Sequence, residues 1–262
     1  MSDDRTPLFE LEAVSFRIGA RVIVHPLTLS LRQGRIYGLV GPNGSGKSTL
    51  VKIMARQQVA SSGSVTVLGK SLAGFADRAF SRLVAYMPQF TPPADGLTVR
   101  ELVSLGRFPW HGALGRFSDE DAAKVEQALD QTDLRSFAAR TVDSLSGGER
   151  QRVWLAMMLA QDTRCLLLDE PTSALDVAHQ VEILALVRDL SREREMGVVV
   201  VLHDINMAAR YCDEIIALRE GELVAQGTPD EILDGAVLDR IYGLPMGILA
   251  HPRTGAPISY VL

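Results

Sequence analysis

The feature that most constrains this chain is a nine-residue loop fed by a strand. Ile36-Tyr37-Gly38-Leu39-Val40 is an apolar run of the kind that forms a buried strand. It passes directly into Gly41-Pro42-Asn43-Gly44-Ser45-Gly46-Lys47-Ser48-Thr49, after which a helix is predicted from Lys47 to Arg56. Gly41, Gly46, Lys47 and Ser48 fill the spacing G-x-x-x-x-G-K-[ST]. Phosphate chemistry accounts for each residue type. Gly41, Gly44 and Gly46 let the backbone turn tightly and aim its N–H groups inward. The helix start adds its positive end. Lys47 can reach β- and γ-phosphates, and Ser48 can offer a hydroxyl to Mg²⁺. Average composition would produce the pattern by chance in roughly one chain in a hundred of this length, and the strand–loop–helix setting lowers that further. The stretch therefore reads as an ATP or GTP site, with Gly41 to Thr49 as nucleotide-binding residues.

At 262 residues and 47% apolar content the chain is long enough for one elaborated α/β domain with a sizeable core. A net charge of −5 argues against nucleic acid as the main partner, which calls for a basic footprint. The two cysteines, Cys165 and Cys212, lack metal-type spacing, and Cys165 lies in the apolar run Cys165-Leu166-Leu167-Leu168, so buried free thiols in a reducing compartment are expected. The polar start MSDDRTPLFE is not a signal peptide, and no apolar run approaches the ~20 residues a membrane span needs. A soluble cytoplasmic protein able to dock on a membrane protein is expected.

Strands are predicted over residues 8–16 and 22–31, turning at Gly19-Ala20, with a further strand at 64–68; together they suggest a small antiparallel sheet beside the nucleotide site. Phe16, near the end of the first strand, is either a core residue or an exposed ring on which adenine stacks. A strand over 83–87 ends at Pro88-Gln89. Thr98 with Glu101 forms a capping-box start for a helix to about Leu105. Residues 106–117 carry Phe108, Trp110 and Phe117 among glycines without any helical or strand period, and read as a loop that either tucks its aromatics in or presents them to a partner. Ser118 caps a helix to about Gln131. The run 98–161 is almost wholly helical and reads as a helical insertion between two α/β stretches, 8–97 and 162–262. After it come a strand at 165–168, a helix at 177–190, the all-apolar strand 198–202, a helix at 205–211, strands at 214–218 and 223–226, and short helices at 229–233 and 236–242. The proline-bearing tail is expected to be irregular, with one strand at most.

Three more groups of residues carry chemistry. Leu167-Leu168-Asp169-Glu170 puts two carboxylates at the carboxyl end of a strand, where ligands bind in open α/β sheets. Asp169 suits Mg²⁺ through its water shell and Glu170 suits a general base for the attacking water. His203 and Gln89 each follow a strand. The imidazole can hydrogen-bond a γ-phosphate, and the amide oxygen of Gln89 can join Ser48 and Asp169 as a metal ligand. Leu145-Ser146-Gly147-Gly148-Glu149-Arg150-Gln151 opens an apolar helix with Ser146 as N-cap, a second helix end suited to an anion. Two such ends with one set of carboxylates suggest a nucleotide shared between two copies.

With these motifs in place, the sequence resembles the ATP-binding subunits of ABC transporters. GPNGSGKST looks like Walker A, LSGGERQ is the ABC signature, CLLLDEP looks like Walker B with its catalytic Glu170, and Ser173 to Asp176 looks like the D-loop. Gln89 and His203 look like the Q-loop and H-loop residues. Phe16 takes the A-loop position, where the family usually has Tyr. Residues 81–87, 98–105, 107–112 and 202–208 resemble the iron–siderophore and cobalamin importer branch, and residues 106–117 and 241–248 are most similar to its ferric-hydroxamate ATPases. The resemblance implies a P-loop NTPase core with a mainly parallel sheet, an antiparallel β subdomain and a helical subdomain. It implies an ATPase that uses Mg²⁺ and works as a head-to-tail homodimer. ATP would lie between Walker A of one copy and Ser146, Gly147, Gly148 and Gln151 of the other, with Asp176 at the contact. A membrane permease on the cytoplasmic face of the inner membrane and a periplasmic substrate-binding protein would complete an importer. Haem, cobalamin and catecholate siderophores are the alternatives to a hydroxamate cargo. A soluble ABC ATPase of repair or translation is the rival class, but this chain has neither a long coiled-coil insertion nor a second cassette.

Overall fold

The structure is a computed structural model that describes residues 7–262 except Asp95, Leu114 and Ala174. Four sequence readings fall partly outside it: the polar start at residues 1–6, the loop holding Asp95, the aromatic loop at Leu114, and the D-loop at Ala174. In chain order the elements begin with β1 (Phe9–Ile18), β2 (Arg21–Leu31), β3 (Ile36–Val40), α1 (Lys47–Met54), β4 (Ser62–Val67) and β5 (Lys70–Ser71). Then come α2 (Asp77–Ser81), β6 (Val84–Met87), α3 (Val99–Leu105), α4 (Phe108–His111), α5 (Asp119–Gln131), α6 (Gly147–Ala160), β7 (Cys165–Leu168) and α7 (Val177–Arg194). The chain closes with β8 (Gly197–Val201), α8 (Ile205–Tyr211), β9 (Glu214–Arg219), β10 (Glu222–Gly227), α9 (Pro229–Ile232), α10 (Gly235–Tyr242), β11 (Met246–Ala250) and β12 (Pro257–Val261). The described residues pack into two compact units, residues 7–74 with 191–262, and residues 75–190.

In the first unit, β1 and β2 form a hairpin that turns between Ile18 and Arg21, and β4 joins β1 on the other side, all antiparallel. A bulge at Ala13, which has φ 47°, shifts the register between Leu11 and Val14. It explains why alternation along this strand is loose in the sequence. The second sheet of this unit runs β10-β9-β3-β8. β3 pairs in parallel with β8 and with β9, so it has no edge, and all five of its residues are buried as its apolar run requires. Parallel pairing also places the ends of β3 and β8 at one edge: Leu202 N–H donates to Leu39 O at 3.1 Å, so the chain leaves β8 toward His203 alongside the start of the Gly41 loop.

In the second unit, β6 and β7 pair in parallel, Val84 with Cys165 through Met87 with Leu168. Asp169 N–H extends the ladder to Met87 O at 2.9 Å. The helices α3, α5 and α6 pack on one another through Val99, Leu102 and Val103, through Val125, Ala128 and Leu129, and through the apolar length of α6 from Val153 to Ala160. Capping boxes start all three: Thr98 with Glu101, Ser118 with Asp121, and Ser146 with Glu149. Cys165 and Cys212 are free and buried, and burial pushes both thiols well up, so they stay neutral.

Two sequence expectations fail. Residues 106–117 are not all loop: Phe108–His111 makes one helical turn with Pro109 in its first turn, a length too short to show periodicity. The tail is a hairpin, with β11 antiparallel to β12 from Met246↔Val261 to Ala250↔Pro257. Its prolines are placed where no ladder donor is needed: Pro257 opens a strand, Pro252 lies in the turn and Pro245 precedes β11. Asn206 pins the hairpin to α8, with its Oδ1 accepting from Ser259 N–H at 2.8 Å and its Nδ2 donating to Ser259 O at 3.1 Å.

Candidate functional site

The loop after β3 is held by its backbone. Gly41 has φ 137°, and a Cβ there would sit 1.9 Å from Leu218 O; Gly46 has φ 97°, and a Cβ there would meet Ile23 O at 2.8 Å. Only glycine lets the loop lie this close to β9 and β2. The turn after β9 completes the support: Gly221 N–H donates to Ser45 O at 3.2 Å, and His25 N–H donates to Gly221 O at 2.8 Å. Sequence reading had no signal for that strut. Lys47 is 4% exposed, and its Nζ donates to Gly41 O and Pro42 O at 2.9 Å each, curling the side chain over the loop's carbonyl side. Ser45 is 2% exposed, and its Oγ is buried with no hydrogen-bond partner among the described residues. Pro42, Asn43, Gly44, Ser48 and Thr49 complete the loop and first turn of α1, and Gly44, with φ 77°, has open space where a Cβ would point. His203, just past the end of β8, is exposed at the same sheet edge.

Phe16 departs from the exposed ring that stacking would use. It pairs with Val24 across the hairpin and is 8% exposed, so it is a core residue here; the exposed apolar side chains at that end are Ile18 and Val22.

In the second unit, Asp169, Glu170 and Gln89 leave the carboxyl edge of the β6–β7 pair together. Gln89 Nε2 donates to Glu170 Oε2 at 2.6 Å. Glu170 takes φ 54°, in the left-handed region that non-glycine residues seldom adopt, and Ser173 N–H and Oγ both donate to Glu170 O, at 3.3 and 3.2 Å. Strain of this kind persists where neighbours over-determine the conformation. Asp169 is 1% exposed. Beside it, Tyr86 on β6 has its hydroxyl pushed up to about 12, by burial first and then by the Asp169 charge, so it remains a neutral phenol. Tyr86 was not singled out in the sequence, where it is one aromatic in an apolar run.

The signature residues open α6. Ser146 Oγ accepts from Glu149 N–H at 3.3 Å, while Glu149 Oε2 accepts from Ser146 N–H at 2.7 Å. Those bonds from Ser146 hold the Glu149 carboxyl below its usual range. Among the described residues nothing lies within 4 Å of a Cβ position at Gly147. Gln151 is directed inward, with Nε2 3.0 Å from Met87 Sδ. Asp176 accepts from His179, whose backbone N–H bond first and ring second hold the carboxyl below its usual range.

The aromatic segment is fixed more firmly than its glycines suggest. Trp110 Nε1 donates to Gln161 O at 2.7 Å, and the guanidinium carbons of Arg82 and Arg107 lie 4.7 and 4.9 Å from the centroid of its ring. Arg107 is buried, paired with Asp121 at 2.8 Å and donating to Ala160 O at 2.9 Å. Burial alone would raise the Asp121 carboxyl, but the bonds from Ser118 and Arg107 win and hold it below its usual range. Phe108 and Phe117, 51% and 47% exposed, flank His111 edge-on at 6.1 and 5.9 Å.

Within the first unit Ser48 offers a hydroxyl, and within the second Gln89 and Asp169 offer an amide oxygen and a carboxylate, oxygen donors of the kind Mg²⁺ takes. Among the described residues no group of three or more His, Cys, Asp and Glu side chains could hold a metal alone. The glycine-lined loop with the unpartnered Ser45 Oγ suits phosphate oxygens.

A strand-fed phosphate loop and a Walker-type carboxylate pair define a nucleotide-hydrolysing P-loop protein, and the ABC transporter family model matches residues 24–173. The chain belongs to the ABC transporter family and is an ABC ATPase. It is 42% identical over 247 residues to the iron(3+)-hydroxamate import ATP-binding protein of Bacillus subtilis (strain 168), covering 94% of this chain and 92% of that protein. It is 44% identical over 239 residues to the achromobactin transport ATP-binding protein of Dickeya dadantii (strain 3937), covering 91% and 89%. Among solved structures, an inward-facing conformation of a metal-chelate type ABC transporter superposes with a TM-score of 0.84 at 27% identity, covering 98% of this chain and 97% of that one.

Proposed function

We propose that this chain is the ATP-hydrolysing subunit of a membrane importer for iron(III)–siderophore chelates of the hydroxamate class. The observation that carries the reading is the pairing of its two catalytic edges with whole-chain likeness to siderophore-import ATPases. One parallel pair delivers Gly41–Ser48 and His203, the other delivers Gln89, Asp169 and Glu170, and the relatives span over nine-tenths of the chain.

In this reading the loop N–H groups and Lys47 bind the β- and γ-phosphates, exchanging the Gly41 and Pro42 carbonyls for phosphate oxygens. Ser48, Asp169 and Gln89 are the residues that would hold Mg²⁺, which supplies charge neutralisation to the phosphates. Glu170 orients water and takes its proton, and His203 hydrogen-bonds the γ-phosphate. Ser146, Gly147, Gly148 and Gln151 of a second copy, with Asp176, close over the nucleotide. Closure and release drive a permease partner. No described helix is long and apolar enough to cross a membrane, so attachment to the cytoplasmic face of the inner membrane runs through that permease. A periplasmic substrate-binding protein delivers the cargo.

The test is purification with the permease, followed by ATPase measurement with the binding protein loaded in turn with ferric hydroxamate, ferric catecholate, haem or cobalamin. Stimulation is expected to be largest with ferric hydroxamate. Stimulation by haem alone would reassign the cargo, in line with the 41% identity to the hemin import ATP-binding protein of Streptomyces coelicolor.

A further inference from the structure

Gly148 and Asp176 stand on different elements, α6 and the turn before α7, and one side chain touches both. His179, in the first turn of α7, grips Asp176 twice. Its backbone N–H donates to Asp176 Oδ1 at 2.9 Å, and its ring Nδ1 lies 2.8 Å from the same oxygen. A carboxylate can only accept, so Nδ1 carries the proton in that bond and the ring orientation is set. The opposite edge of the ring occupies the place of a Gly148 side chain: a Cβ there would lie 2.5 Å from Cδ2, 3.0 Å from Cγ and 3.1 Å from Nε2. Gly147, its neighbour, has nothing within 4 Å of that position. So the first signature glycine is open, and the second is seated on an imidazole anchored to the D-loop. The charged groups facing the ring are Asp176 on its own turn and Glu149 on α6, with Arg140 near Glu149.

We propose that His179 is a positioning residue for ATP hydrolysis, bridging Asp176 to Gly148 so that the D-loop and the signature helix start form one preset surface. The inference rests on the reading that this surface meets a nucleotide held by a second copy. The physical gain is preorganisation. Two elements that would otherwise be ordered separately on closure are ordered beforehand, and that cost leaves the binding step. His179 itself touches no nucleotide in this arrangement.

The experiment uses the full chain in a Glu170→Gln background, with ATP as the probe and sedimentation velocity reporting the dimer. Adding His179→Ala is expected to raise the ATP concentration for half-dimerisation about tenfold, the scale of one charge-assisted hydrogen bond. The melting temperature should move by no more than about 3 °C, as for other partly exposed substitutions. His179→Asn places an amide nitrogen near Nδ1, restores the Asp176 bond and should recover most of the loss. Hydrogen exchange on the chain without ATP forms the second arm: His179→Ala should speed exchange at the amides of Glu149 and of residue 179, and Asn should slow both again. Unchanged dimerisation or unchanged exchange overturns the proposal, as does an Asn variant no better than Ala. If Glu170→Gln alone fails to dimerise with ATP, the shared-nucleotide reading falls, and the exchange arm still decides whether His179 makes the tie.

Discussion

The phosphate loop and the signature segment are both glycine-bearing helix starts, yet they are held in opposite ways. Residues 41–48 are fixed chiefly by backbone, with carbonyls of Leu218 and Ile23 where side chains would stand and a strut from Gly221, and the Lys47 ammonium adds its bonds to the Gly41 and Pro42 carbonyls. Residues 146–149 are fixed by side chains: the Ser146 hydroxyl, the Glu149 carboxylate and the His179 ring. A backbone-held loop cannot adjust to a substitution without moving a strand. A side-chain-held helix end can give way locally, which suits a surface that must meet and leave a partner.

The sharpest way to break this comparison is a pair of glycine substitutions read by calorimetry. Gly41→Ala should lower ATP affinity by more than 100-fold, because a Cβ 1.9 Å from Leu218 O forces the loop to shift. Gly147→Ala should leave ATP affinity of the single chain within about twofold, since its site is open. Comparable affinities for the two variants would mean that the contrast in support does not exist.

Next in size is the catalytic edge. Glu170→Gln should lower hydrolysis by roughly 10²–10⁴-fold with ATP binding retained, the loss typical of a removed general base. Because Gln89 Nε2 donates to Glu170 Oε2, an amide at position 170 also weakens that bond. Steady-state turnover measured beside nucleotide affinity separates the roles, and near-normal turnover would remove Glu170 as the base.

A third test concerns the aromatic segment, where a partner-facing Trp110 and a packed one make different predictions. The guanidinium groups of Arg82 and Arg107 over the ring and the bond to Gln161 O indicate packing. Trp110→Ala should therefore cost about 3 kcal/mol of stability, the low end for a large ring because this one is only half-buried. Phe108→Ala, with its ring exposed beside His111, should cost well under 1 kcal/mol. Chemical denaturation of both variants checks this, and equal losses would erase the distinction.

How much of this was legible in the sequence follows from how each part is held. β3 and its loop were readable because a fully buried parallel strand demands an unbroken apolar run, and backbone packing demands glycine at fixed spacing. The three capping boxes were readable in part for the same reason: the bonds span only three residues. Tyr86 beside Asp169, Gly221 beneath Ser45 and His179 beneath Gly148 were not readable, since each acts on a residue distant in sequence and none belongs to a local pattern. Phe16 illustrates the limit from the other side. Its position along the strand was legible, but which face of a bulged strand turns inward depends on the register shifts at Leu11, Val14 and Phe16.

The smallest effect tests the side-chain half of the comparison. Ser146→Ala removes one of the two reciprocal bonds at the start of α6 and should cost about 1 kcal/mol of stability, as lost N-caps usually do. Its mate, the bond from Ser146 N–H to Glu149 Oε2, survives the substitution and carries a pH dependence. The folded-state pKa of Glu149 lies below its unfolded value, so its contribution is fully present above the unfolded carboxylate range and fades as pH falls through the folded value. Stability measured from pH 7 down to pH 3 should therefore fall less in Glu149→Gln than in the parent chain, while Ser146→Ala, which also loses the hydroxyl bond that depresses the carboxyl, should show a smaller fall that is complete at a higher pH. An identical acid profile in all three chains would show that the capping box does not hold this helix end, and the contrast with the backbone-held phosphate loop would lose one of its two sides.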